Sequence, residues 1–229
     1  MKIISIINAQ TVRLRPINLP MRGAYLGDVI KAVQARYEFL QVPQRLEECD
    51  PIKGVTFLHG KFVNEKLIQI NESGKVESID QMVIDKFQFF SNGLQAEGQT
   101  TAENLSLFLD DITEWGVEEF KYRIHDIIPV ENVYLTQLEV QLGENLAWKF
   151  ELGEKISKKI EQMIGTYEYG KVSSEVSGFT ITNEGLEEQR LRTNPFSIER
   201  RIGYPRSANV FFVTSPLKTI DLVELLKNL

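Results

Sequence analysis

With 229 residues, 42% of them hydrophobic and 25% charged, the chain has the makeup of a folded globular protein and falls outside the disordered, fibrous and disulfide-stapled classes. Its single cysteine, Cys49, excludes an intramolecular disulfide and a cysteine-rich zinc cluster within one chain, and suits a reducing compartment. A formal net charge of -6 opposes broad attraction to phosphate backbones or anionic lipid. Nothing in the chain approaches the ~18 consecutive apolar residues that span a bilayer, so a cytoplasmic protein with no membrane attachment is expected.

In chain order, the β-branched run Ile3, Ile4, Ile6, Ile7 and the alternation of Val12 and Leu14 with Arg13 and Arg15 predict β structure over residues 1–15, stopped by Pro16 and Pro20. Leu26, Val29, Ile30, Val33 and Tyr37 recur at the spacing of one helix face, which predicts a helix over 24–40 that ends before Pro43. Residues 54–95 instead carry short runs, VTFLHGKFV, KLIQI, KVESI and FQFF, divided by turn residues. Asn71 to Gly74 and Ser91 to Gly93 are the turn signals, and two antiparallel hairpins follow from them.

Thr100 and Glu103 have the spacing of a capping box, and Leu105, Phe108, Leu109, Ile112 and Trp115 line one face of the helix it would open, predicted over 101–115. Asp110, Asp111 and Glu114 fall on the opposite face. Strands are expected at 122–128 and 133–142, a short helix at 154–164 ahead of Gly165, a strand near 179–182, another at 209–214, and a closing helix capped by Thr219. These elements predict a single α+β domain over 1–229, with antiparallel sheet built from hairpins and about four helices packed on one face. Residues 143–153 are the one place where a seam could fall.

No local pattern specifies chemistry. His59 and His125 have no second ligand at metal spacing, and His125 and Asp126, as neighbours on a strand, point to opposite faces. Gly23 and Gly27 do not make a phosphate loop, although Arg22 and the helix start beside them suit an anion. Cys49 sits among acids that blunt a thiol's reactivity, and Asp110 with Asp111 reads as a solvated helix face. No metal and no cofactor are expected.

Charge is uneven. Residues 97–119 carry seven acids and no Lys or Arg, whereas residues 189–206 carry five arginines, Arg190, Arg192, Arg200, Arg201 and Arg206, against Glu199. Phe196 and Tyr204 lie in the same stretch, and arginines mixed with aromatic rings suit either a protein interface or stacked bases. The acidic whole favours protein contact over nucleic acid. Three functions follow: a non-catalytic protein-interaction or assembly protein, self-association being its simplest form; an enzyme whose site is assembled from sequence-remote residues; and a nucleic-acid-binding protein using the 189–206 arginines. The missing motifs and the opposite-sign segments favour the first.

Overall fold

A computed structural model describes residues 1–14, 17–18, 26–120, 123–124, 131–143, 156, 158–163, 177–182 and 194–228. Their elements are β1 (Lys2–Leu14), β2 (Ile17–Asn18), α1 (Leu26–Tyr37), β3 (Val55–Val63), β4 (Ile68–Ile70), β5 (Val76–Ser78), β6 (Gln81–Phe90), β7 (Gly93–Gly98), α2 (Ala102–Phe120), β8 (Arg123–Ile124) and β9 (Glu131–Gln141). The helical residues 158–163 (α3), β10 (Gly178–Ile181), β11 (Phe196–Arg200), β12 (Val210–Ser215) and α4 (Thr219–Lys227) complete them. His125 and Asp126, Arg22 and Gly23, and all of the expected seam beyond Gly143 lie outside the described residues.

The architecture is α+β. Eight antiparallel strands form one sheet in the order β10-β11-β12-β9-β1-β7-β6-β3, and the pairs β2-β8 and β4-β5 form two-stranded sheets. Both hairpins read from turn residues are present: Asn71 accepts its own turn's amides from Ser73 and Lys75, with Gly74 at φ +74, and Ser91 and Asn92 connect β6 to β7. The segments β3-β4 and β5-β6 form one long ribbon whose tip folds back, so that Lys227 of α4 donates to the Gly74 carbonyl at 2.7 Å.

The helices α1, α2 and α4 cover one face of the sheet. Beneath α1 and α2, Val29, Ile30, Val33, Phe57, Ile84, Phe87, Leu105 and Phe108 form one apolar cluster; beneath α4, Leu138, Val140, Ile198, Val213, Leu222 and Leu226 form a second. Across the opposite face runs a polar row through Thr180, Ser197, Thr214, Gln137 and Asn8, and Asn8 reaches Glu97 at 3.2 Å. In β9, Leu138 and Val140 therefore face the core, while Gln137 and Glu139, which alternate with them, lie on the polar face.

Three local expectations change. Helix α1 stops at Tyr37, not Leu40, because Glu38 adopts a left-handed backbone (φ 51), which turns Phe39 into the core and lets Gln41 bond to Leu58. Thr101, not Thr100, caps α2 by accepting the Asn104 amide at 3.2 Å, and α2 runs on to Phe120, whose ring meets Trp115. Lys218 occupies the N-cap position of α4; Thr219 lies inside the helix, where its hydroxyl accepts the Ala102 amide of α2 at 2.9 Å, while Glu103 of α2 accepts the Ile220 amide at 3.0 Å. Each helix thus satisfies a free amide of the other.

Helices α1 and α2 are pinned by a clasp. Arg36 forks onto Asp111, with Nη2 at 3.0 Å from both carboxylate oxygens, and stacks over Trp115 with 5.1 Å to the ring centroid. Tyr37 donates to Asp111 at 2.6 Å. Burial, then the bond to Asp111 and its charge, push the Tyr37 hydroxyl well above its ordinary value of 10.0. The folded state thus holds a proton that the unfolded chain releases above pH 10, so stability is fully present below that pH and is lost as pH rises through it. We expect denaturant midpoints to fall above pH 10 and phenolate absorbance to leave one of the seven tyrosines unionised until unfolding. Tyr37→Phe should flatten that fall.

Candidate interaction site

The loop between β11 and β12 sits at one end of the sheet. Arg201 donates its amide to the Val210 carbonyl at 2.9 Å, and Gly203 at φ +96 supplies the left-handed turn that a side chain would resist. The described arginines of the 189–206 segment therefore lie on a β-hairpin, while Arg190 and Arg192 lie outside the described residues. Phe196 belongs to β11 and is half-buried on the helix-covered face, 5.8 Å from Phe179 between ring centroids, so it serves the core below α4. Arg200 lies over the ring of Phe211 at 5.0 Å. Arg206 begins a 3-10 turn through Ala208.

Arg201, Tyr204, Phe212 and Glu139 come together on the polar face. The Arg201 guanidinium lies 5.6 Å above the Phe212 ring and its Nε is 3.7 Å from Glu139 Oε2. Tyr204 lies beside the same carboxylate, whose hydrogen bonding and then charge raise the pKa of its hydroxyl above the ordinary tyrosine value. Glu139 is buried, and its Oε1 has no hydrogen-bond partner among the described residues. This acid was not singled out in the sequence, where it reads as one wet position of an alternating strand.

The tip beyond this cluster is apolar. Ile202 is 95% exposed and Tyr204 is 45% exposed. Such exposure of single apolar residues is common on its own. Here two of them flank the Gly203 turn, beside an arginine, on a loop tied to a buried carboxylate.

Of the three acids expected on the outer face of α2, Asp110 and Asp111 are already engaged. Asp110 is 2.6 Å from Arg13, and Asp111 is held by Arg36 and Tyr37. Glu114, Glu118 and Glu119 remain exposed on α2.

An apolar cavity of about 40 Å³ lies between α1, α2 and the sheet, lined by Val29, Val33, Phe57, Phe87, Ile112 and Trp115 among others. It has room for little more than a water and brings no ionisable groups together. Among the described residues, no three His, Cys, Asp or Glu side chains come close enough to hold a cation. His59 is exposed on β3 with a left-handed backbone (φ 57). No described helix is long and apolar enough to cross a membrane.

Comparison with known proteins finds no match: no family model fits the chain, and neither a curated protein nor a solved structure is significantly similar to it.

Proposed function

We propose that this chain is a non-catalytic protein-interaction or assembly protein, and that the β11-β12 tip is a contact, most simply with a second copy. The observation that carries this reading is the exposure of Ile202 and Tyr204 on a loop whose base is tied to Glu139. A tethered loop loses less conformational freedom when it docks, so more of the apolar contact survives as affinity. Aromatic and arginine side chains are also the types that dominate interface energetics. The exposed acids of α2 are of suitable sign for Arg201, but exposed charge pairs contribute only about 0 to 1 kcal/mol, so apolar area must hold the contact.

Sedimentation velocity across a concentration series tests this. The unmodified chain should associate, and Ile202→Asp with Tyr204→Ala should weaken association at least tenfold, about 1.4 kcal/mol. Arg201→Gln should do less, and its effect should shrink with salt. A chain that stays monomeric at high concentration removes the self-association form.

A further inference from the structure

Among the described residues, the eight-stranded sheet has a gap inside it. Strand β1 pairs with β9 from Lys2 to Leu14 but with β7 only from Ala9 onward. Strand β6 pairs with β3 from Gln81 to Phe89 but with β7 only from Lys86 onward. Between them β7 ends at Gly98, and residues 99–101 lead away into α2. Residues 3–8 of β1 and 81–85 of β6 therefore flank a slot that β7 would fill if it continued, about one strand wide at roughly 4.8 Å per strand spacing on each side.

Main-chain groups face this slot. A Cβ built on Gly98 would lie 3.1 Å from the Val83 carbonyl oxygen and 3.5 Å from the Asp85 amide nitrogen, so the odd-numbered residues of β6 turn their backbone toward it. In the flanking stretch of β1 the register to β9 slips twice, between Ile3 and Ser5 and between Ile6 and Asn8. Bulges of this kind gather at sheet edges and beside sites. The ribbon tip closes one end, through Ile3 N–H to the Glu72 carbonyl at 2.8 Å and the Lys2–Glu72 ion pair at 2.9 Å. The open groove here measures about 520 Å³ and is bordered by Ile6, Ile70 and Met82 together with the polar Asp85, Gln99 and Thr100.

We infer that this slot binds an extended segment of a partner polypeptide, which completes the sheet between β1 and β6. Two facing strand edges present donors and acceptors at main-chain spacing, and an extended peptide matches that spacing along its whole length. The length of β6 beyond β7 accommodates about five residues at roughly 3.4 Å each. Ile6, Ile70 and Met82 call for apolar side chains at alternate positions, and Asp85 favours a basic residue beside it over an acidic one. Proline inside the segment is excluded because it lacks the N–H that the edge needs. This site is separate from the β11-β12 tip and does not depend on it.

Selection from a phage-displayed random heptapeptide library against the full chain tests the inference. Enriched sequences should alternate apolar residues, lack proline and bind saturably. Synthesised with alternate backbone amides methylated on the slot-facing side, the best of them should bind at least tenfold more weakly. Binding should also be lost on Val83→Pro, which removes a slot-facing N–H and leaves the β3 side untouched. The methylated peptide decides the matter if that variant fails to fold. Peptide should retard hydrogen exchange at the Val83 amide, and the chain carrying Ile202→Asp and Tyr204→Ala should bind it unchanged, which separates this site from the tip. No enrichment, or peptides that tolerate backbone methylation or bind Val83→Pro equally, overturns the inference. Concentration-dependent protection of the Val83 amide in the chain alone would assign the slot to a second copy and overturn the foreign-peptide form.

Discussion

Replacing Phe108 by Ala is expected to destabilise the fold by about 3 to 5 kcal/mol, read as a fall in denaturant midpoint at unchanged slope. Phe108 is fully buried and is the ring on which α1, α2 and the sheet converge. Its centroid lies 5.0 Å from Tyr37, 5.3 Å from Phe87 and 5.6 Å from Phe62, each edge-to-face. Truncation removes the ring's transfer free energy and leaves a void, and those three rings sit on separate elements that cannot all collapse into it. Phe108→Leu, which keeps much of the volume, should cost distinctly less. A loss below about 1 kcal/mol would mean that the aromatic cluster is not the centre of the core.

Asn104→Leu is the second large effect, on the order of 2 to 4 kcal/mol. The Asn104 side chain acts as a piece of strand: its Oδ1 accepts the Ile68 amide at 2.9 Å, and its Nδ2 donates to the Ile68 carbonyl at 2.6 Å and to Thr100 Oγ1 at 2.9 Å. Leucine keeps the branch at Cγ but is bulkier and has neither polar group, so both polar atoms of Ile68 lose their partner beside a buried helix start. The change should also loosen β4 and β5 more than the sheet, so hydrogen exchange at Ile68 and Ile70 should accelerate ahead of global unfolding. Exchange that rises only with global unfolding would place the ribbon's anchorage elsewhere, with Lys227 and Glu72 the remaining attachments.

Much of the fold was legible because its signals are local. The periodicity of Leu105, Phe108, Leu109 and Ile112 reports one helix face whatever it packs on, and Asn71 and Gly74 define a turn through their own backbone preferences. The α+β class followed because the middle strands come in consecutive hairpins. What the sequence hid were interactions between residues far apart. Glu103 looked like the second half of a capping box, but its carboxylate is used by an amide 117 residues on. Asp110 looked solvated, yet its partner Arg13 is almost fully buried; one wet acid beside one strand arginine carries no local mark.

The candidate site was legible in part. Arg201 and Tyr204 were singled out by type, and both belong to the tip; Phe196, picked by the same reasoning, faces the core. Composition names residues suited to contact, whereas strand alternation decides the side they reach, and that phase could not be set before β11 was located. Glu139 and Ile202 were missed because neither residue is unusual in its own neighbourhood. The slot could not be foreseen at all, since it arises from the different lengths over which three strands pair.

The place of β1 bears on how the chain is made. This strand lies in the middle of the sheet, yet its partners emerge late: Asn8 bonds to Glu97 across 89 residues and Arg13 to Asn132 across 119. During synthesis its isoleucine-rich stretch must wait, unpaired, until β9 emerges, and contacts this distant in sequence slow folding. The nascent chain therefore exposes an apolar, β-prone segment for long, and a chaperone that holds extended apolar segments would find a target at residues 3–7.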